Sequence, residues 1–165
     1  MLIHQNDNKM PPKRVIIFGS TGFVGNSLLN DLNIENIPVI GFGSSDIDLT
    51  NSNSTDKILD LINEDDCVVF ISSIAPAKNI ENLIDNLKMV KNFKNAIEKK
   101  PVNHIVYISS DAVYKDTSKL INESHCAEPD SIHGLMHLCR EKLLSNFSDR
   151  MVIVRPTLIY GLKDP

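Results

Sequence analysis

His133 and His137 stand four residues apart in "SIHGLMHLCREKLL", Ser131 to Leu144, a stretch with the apolar spacing of a helix. Side chains at i and i+4 share one helix face. An imidazole titrates at about 6.5, so such a pair suits proton transfer near neutral pH or, given a third ligand, a metal ion. His125, Cys126 and Cys139 lie close by in sequence. None of them stands at a recognised ligand spacing and H-E-x-x-H is absent, so no metal is expected.

A second group of residues points to a nucleotide. "GSTGFVG" sets Gly19, Gly22 and Gly25 in the pattern G-x-x-G-x-x-G, with Thr21, Phe23 and Val24 between them. At a turn from strand to helix, this spacing lets a pyrophosphate approach backbone N–H groups at the helix start. Gly22 leaves the approach open, and Gly25 lets the helix lie close to the sheet. An acidic residue at the end of the second strand takes the ribose hydroxyls of NAD, whereas an arginine nearby accommodates the phosphate of NADP. "GFGSS", with Gly43, Ser44 and Ser45, carries neither, so both NAD and NADP stay open as cofactors.

The elements that must position these groups alternate along the chain. "KRVIIFG" is a buried strand followed by a helix from the glycine loop. "IPVIGFG" and "SDIDL" are two short strand candidates, and "STDKILDLIN" is a helix with Ser54 as its N-cap. "DDCVVFISS" is a strand and "NIENLIDNLKMVKNFKNAIEKK" a long amphipathic helix ending before Pro101. "NHIVYISS" is a further strand, an irregular stretch from Asp111 to about Asp130 leads to the histidine helix, and "MVIVRP" closes the order. Such alternation predicts an α/β fold: a doubly wound, Rossmann-type parallel sheet with helices on both faces.

Composition narrows the partners. The 165 residues suit one domain, and a net charge of -4 gives no electrostatic footprint for nucleic acid or an anionic membrane. No apolar run is long enough to span a bilayer. The leader, residues 1–12, is polar and proline-ended, unlike a signal peptide. Three cysteines without C-x-x-C spacing fit a reducing, cytoplasmic compartment.

Together "GSTGFVG", "HIVYISSDAVY" followed by Glu123, the helix opening at His133, and "VRPTLIYG" resemble the extended short-chain dehydrogenase/reductases. Within them the likeness is to the NAD-dependent epimerase/dehydratase family that works on nucleotide sugars. The resemblance covers Lys13 to Pro165. It implies that the glycine loop holds the pyrophosphate, that Asp48 and Leu49 lie against the adenine, and that Ile71, Ser72 and Ser73 lie along the cofactor. Asn86 is implied to support the catalytic group through water, and Pro156 and Thr157 to meet the nicotinamide end. The short passage from "PVIGFG" to "DIDL" resembles reductases of the family that omit a helix there. A C-terminal substrate domain is also implied. The chain lacks it, and we expect residues 13–165 to be the N-terminal part of a longer protein.

The same resemblance locates the chemistry. Ser110 stands where the family's Ser or Thr hydrogen-bonds the substrate oxygen. The family's Tyr-x-x-x-Lys, in which Tyr exchanges a proton and Lys binds the ribose and lowers the tyrosine pKa, is here His133-x-x-x-His137. Imidazole is able to act as a base without a neighbouring cation, but it is shorter than a phenol, and a neutral His137 brings no fixed charge to the ribose. Asp111 matches the general acid of the family's dehydratases, whose neighbouring glutamate is replaced by Ala112. Tyr114 is expected to pack in the core, and Glu123, His125 and Cys126 to lie in the loop over the substrate.

Two functions remain. One is an enzyme that transfers hydride with Ser110 and His133 at the reacting oxygen; the other is a nucleotide-binding module with altered or lost catalysis. A nucleotide sugar or related carbohydrate is the expected substrate, with no nucleic-acid or membrane partner. Pairing of helices 79–99 and 131–147 between two copies is the expected oligomer contact.

Overall fold

The structure, a computed structural model, describes residues 11–161; the leader lies outside them apart from Pro11 and Pro12. Four consecutive β-branched or aromatic residues, all buried, make β1, Val15–Phe18. It is followed by α1 (Phe23–Ile34), β2 (Val39–Phe42), α2 (Ser54–Leu61), β3 (Cys67–Phe70), α3 (Ile80–Lys99), β4 (His104–Ile108), α4 (Ile132–Leu144) and β5 (Met151–Val154). All strand pairs are parallel and the order is β2-β1-β3-β4-β5.

Alternation along the strands divides the core in two. Ile16, Phe18, Val68, Phe70, Ile105 and Tyr107 face α2, α3 and α4, where Phe70 stacks on Phe93 with ring centroids 4.3 Å apart. Val15, Ile17 and Val69 face the opposite way, against Leu28, Leu29 and Leu32 of α1. Helices therefore cover both faces, as alternation of strands and helices requires. No described helix is long and apolar enough to cross a membrane.

Two expectations are corrected. Ser45 to Leu49 is not a strand. The amides of Asp46 and Ile47 both bond Gly43 O, at 3.2 and 3.1 Å, and the Asn51 amide bonds Asp48 O, so local turns consume the donors that a strand would offer sideways. Ile47 and Leu49 are nonetheless buried two residues apart, which is the pattern that imitates a strand. Ser54 does not cap α2. Asn53 before it already has helical backbone, φ -70° and ψ -11°, while Ser54 is fully buried. A capping residue needs extended backbone and a side chain free to turn onto the first amides. Ser131 and Asn79 do meet that need: Ser131 Oγ accepts from Gly134 N and Asn79 Oδ1 from Asn82 N.

The chain leaves β1 for β2 on one side and reaches β3 on the other. This reversal opens a crevice at the carboxyl ends of β1 and β3, where α/β sheets hold ligands. Backbones meet there at distances that exclude side chains. Gly19 has φ +101°, and a Cβ on it would lie 2.7 Å from Ser72 N; one on Gly25 would lie 2.1 Å from Gly19 O. Gly22 differs, since its Cβ would meet only Gly19 O at an ordinary 3.6 Å. Urea denaturation is expected to show Gly25→Ala destabilised by about 1–3 kcal/mol, through overpacking, and Gly22→Ala changed by less than about 0.5 kcal/mol.

Candidate functional site

The glycine loop delivers an anion site made of backbone. Gly22 precedes α1 without any side-chain cap. The first bond of the helical ladder runs from Asn26 N to Gly22 O, at 2.8 Å. The amides of the first turn, at Phe23, Val24 and Gly25, stand before that bond at the positive end of the helix. The observed cradle thus fits a dinucleotide pyrophosphate: open amides, no side chain over Gly22, and a helix start uncapped by the protein. Thr21 leans on the end of β2, where a Cβ on Gly43 would come within 2.5 Å of its Cγ2.

The other residues expected along a cofactor follow the carboxyl ends of β2, β3 and β5. Ser44 is exposed in the turn after β2. Asp48 is exposed too, and its carboxylate accepts from Thr50 N and Oγ1 at 2.9 and 2.7 Å, which holds its pKa below the ordinary value. Leu49 is part of the core, 5% exposed. Sequence reasoning passed over Asp46, whose Oδ2 accepts from Gly43 N at 2.7 Å and so stands at the end of β2. Ser45 and Asp46 share a turn that periodicity does not reveal. Ile71 and Ser72 donate their amides to Phe18 O, which lays them beside the loop; Ser73 is exposed just beyond. Pro156 O accepts from Asp111 N at 3.1 Å, with Thr157 exposed next to it.

Ser110, Asp111 and His133 are brought together by one backbone contact. Ser110 Oγ accepts from Ala112 N at 3.1 Å and caps the short 3-10 turn Asp111–Val113. That turn packs against the start of α4 so closely that a Cβ on Gly134 would lie 1.9 Å from Ala112 O. His133, the residue before Gly134, is half-buried beside Asp111. Burial lowers its pKa from the ordinary value, and the negative charge of Asp111 partly opposes this. Its Nδ1 accepts from Ala77 N at 3.4 Å, so in the neutral ring the proton sits on Nε2. Neutral His133 is therefore a hydrogen-bond donor at Nε2.

His137 plays a different part from the one its spacing suggests. It is 5% exposed, its Nδ1 shares a 2.9 Å hydrogen bond with Tyr107 OH, and its ring meets that of His133 edge to face, centroids 4.8 Å apart. Burial first, then the charges of Arg140 and His133, push its pKa down to about 3. It is a neutral core histidine with no charge to offer a ribose.

Asn86 is also corrected. Its Nδ2 donates to Ile74 O and Asn82 O, and its Oδ1 accepts from Ile74 N and Arg140 Nη1. Two donors and two acceptor positions are all the amide has, so nothing remains for a bridging water. It fastens the segment after β3 to α3.

Three charged residues escaped the sequence reading. Glu141 is buried, accepts from Ser109 Oγ at 2.6 Å and takes Arg155 in a two-pronged pair at 2.9 and 2.7 Å. Arg155 also donates to Tyr114 OH and lies over its ring, 5.0 Å from the centroid. Tyr114 is thus packed in the core, and its hydroxyl is engaged. Arg140, fully buried, completes the set. The available signal was position: Arg140 and Glu141 follow His137 at i+3 and i+4, on the stripe that faces inward. Among the described residues no three His, Cys, Asp or Glu side chains gather as a metal would require, and Cys126 and Cys139 are free.

Residues 15–165 match the model of the NAD dependent epimerase/dehydratase family. The chain belongs to this family. Among its relatives is the N-acetyl-alpha-D-glucosaminyl-diphospho-ditrans,octacis-undecaprenol 4-epimerase of Escherichia coli O157:H7, 26% identical in an alignment that covers 94% of this chain and 50% of that protein. Another is the methionine adenosyltransferase 2 subunit beta of Xenopus laevis, 20% identical over 95% of this chain and 50% of its own. The chain spans about half the length of the curated relatives it matches. In three dimensions it is similar to the dTDP-4-dehydrorhamnose reductase of Bacillus anthracis str. Ames in complex with NADP, with TM-score 0.81 and 24% identity over 96% of this chain and 58% of that one. The UDP-glucose 4-epimerase of Thermus thermophilus in complex with NAD gives TM-score 0.76 and 19% identity over 86% and 54%. At such identities the structures show the shared fold.

In this member of the epimerase/dehydratase family, a histidine kept neutral by burial has a consequence for stability. With a folded pKa near 3 and an unfolded value near 6.5, the unfolded state binds the extra proton as pH falls through 6.5. The His137 contribution is therefore intact above about pH 6.5 and declines toward pH 3, by up to about 1.4 kcal/mol per pH unit. Urea denaturation at pH 7.5 and 5 is expected to show a larger loss in wild type than in His137→Gln.

Proposed function

We propose that residues 13–165 are the nucleotide-binding part of an NAD(P)-dependent epimerase, dehydratase or reductase that acts on a nucleotide sugar or related carbohydrate. The observation that carries this reading is the backbone contact of Gly134 with Ala112, which packs the start of α4, and with it His133, against the turn that holds Asp111 and is capped by Ser110. Gly19, Thr21, Gly22, Phe23, Val24 and Gly25 would hold the pyrophosphate. Ser44, Asp48 and Leu49 would border the adenosine, Ile71 to Ser73 the middle, and Pro156 and Thr157 the nicotinamide end. The names of the relatives support nucleotide or polyprenyl-diphosphate sugars as the substrate class.

A nicotinamide, when bound, supplies or accepts the hydride. The protein's part is to hold the sugar oxygen. Charge grows on that oxygen as a carbonyl is reduced, and Ser110 O–H and His133 Nε2–H donate to it more strongly as it does. Asp111 lies on the same rim and steadies His133. Delivery of a proton, as distinct from a hydrogen bond, requires the imidazolium. Because burial lowers the pKa of His133, carbonyl reduction is expected to accelerate as pH falls through a value below 6.5. Three free cysteines support a cytoplasmic setting. Exposed Ile84, Leu135 and Leu143 on α3 and α4 support pairing of two copies through these helices.

A second reading has its own support. His137 is buried and uncharged, and one relative is named as a subunit of an adenosyltransferase. A binding module with altered catalysis would share the same cofactor cradle.

Calorimetry with NADH and NADPH, followed by nicotinamide absorbance with dTDP-4-keto sugars, UDP-glucose and UDP-N-acetylglucosamine, separates the readings. The enzyme is expected to turn over at least one sugar. Ser110→Ala and His133→Ala should each lose about 100-fold or more in kcat with cofactor affinity kept. Gly22→Ala should lose affinity itself. Affinity without any hydride transfer would select the binding module, and no affinity at all would end both.

A further inference from the structure

Arg140 presents a buried positive charge without an acid. Its side chain is fully buried, and among the described residues no carboxylate pairs with it; the adjacent Glu141 is turned to Arg155 and Ser109. The guanidinium lies over the rings of Phe70 and Tyr107, at 4.8 and 5.3 Å from their centroids. Nη1 donates to Asn86 Oδ1 at 3.3 Å and contacts Met136 Sδ, Nη2 donates to Ser72 O at 2.7 Å, and Nε has no partner. Aromatic faces and neutral oxygens offset only part of what removing a cation from water costs.

The direction of that charge is informative. Ser72, which takes the shortest of these bonds, lies backbone to backbone against Gly19, where a Cβ would come within 2.7 Å of Ser72 N. One residue thus separates the guanidinium from the loop whose amides await an anion. His137, one turn earlier on the same helix face, is neutral and supplies no charge. In a dry interior a fixed charge acts over several ångströms with little screening.

We propose that Arg140 is the counter-charge of the dinucleotide site, a positioning residue that holds Ser72 O and favours the anionic ligand from within the core without touching it. This rests on the nucleotide-binding reading above. A dinucleotide would bring two negative phosphates to the carboxyl edge of β1 and β3, and Arg140 bonds the backbone just past the end of β3, at Ser72 O.

A residue that merely fastened α4 to β3 would behave differently on substitution, and this makes the test. NADH and NADPH are titrated by calorimetry into full-length wild type, Arg140→Met and Arg140→Lys, with thermal midpoints measured without and with nucleotide. Arg140→Met is expected to bind roughly tenfold more weakly or worse, while its nucleotide-free midpoint stays level or rises because a buried unpaired charge has gone. Arg140→Lys should remain within about threefold of wild type. The His137 imidazole resonances should titrate at higher pH in Arg140→Met, since a neighbouring cation has been removed. Equal affinity of Arg140→Met and wild type would overturn the proposal. So would equal losses in the Met and Lys variants, or a Met variant that fails to fold without nucleotide, each of which makes Arg140 a structural tie. Wild type that binds neither nucleotide defeats the nucleotide-binding reading and this inference with it. Loss of only the Arg140 effect leaves that reading standing.

Discussion

Backbone approaching backbone, at separations that no Cβ tolerates, sets the geometry on which the carboxyl edge of this sheet depends. Gly25 lies on Gly19, Gly19 on Ser72, and Gly134 on Ala112. The first two draw α1 and the end of β3 to the glycine loop. The third draws α4 to the turn after β4. The hydrogen bonds of His133 with Ala77 and of Arg140 with Ser72 link these two groups, far apart in sequence, into one rim. The backbone contacts are also rigid, since peptide units have no rotamers with which to accommodate an added methyl group. A rim built this way fixes the position of His133 relative to Ser110 without any direct bond between the two side chains.

Beneath the rim, charge is arranged in two ways. Buried Glu141 and partly exposed Arg155 form an ion pair to which Ser109 and Tyr114 add hydrogen bonds, which ties α4 to the ends of β4 and β5. This is the form in which buried ions are tolerable. Arg140, the neighbour of Glu141, has no such acid and rests on rings, a carbonyl and an amide. Its charge in turn helps to keep His137 neutral, and a neutral His137 serves Tyr107 rather than a ligand. The pair of histidines is thereby divided into a rim residue and a core residue by what lies under each.

Much of the fold was legible because its signals are local. Runs such as "VIIF" and "CVVF" followed by helical spacing announce a parallel sheet covered on both faces, and glycines at a strand-to-helix turn announce an anion cradle. Ser45 to Leu49 misled for the same reason. Alternating burial of Ile47 and Leu49 reads as a strand, although the amides of Asp46, Ile47 and Asn51 are spent on turns to Gly43 O and Asp48 O. Ser54 misled because a serine before a helical pattern is a capping signal only when its backbone is extended, and that torsion belongs to the preceding turn.

The sequence by itself determined the class of the chain, the glycine cradle, and the presence of His133 and His137 on one helix face, because residue type and spacing along a regular element decide these. Only the tertiary structure decided what each polar group does. Whether an imidazole carries charge depends on the groups packed around it, and those of His137 come from Tyr107, Arg140 and His133. Whether an amide is free for water depends on its partners, and Asn86 finds all of its own in Ile74, Asn82 and Arg140. Desolvation and hydrogen-bond saturation are properties of a packed neighbourhood, assembled from residues up to 68 positions apart between Arg140 and Ser72. No window of sequence contains that neighbourhood.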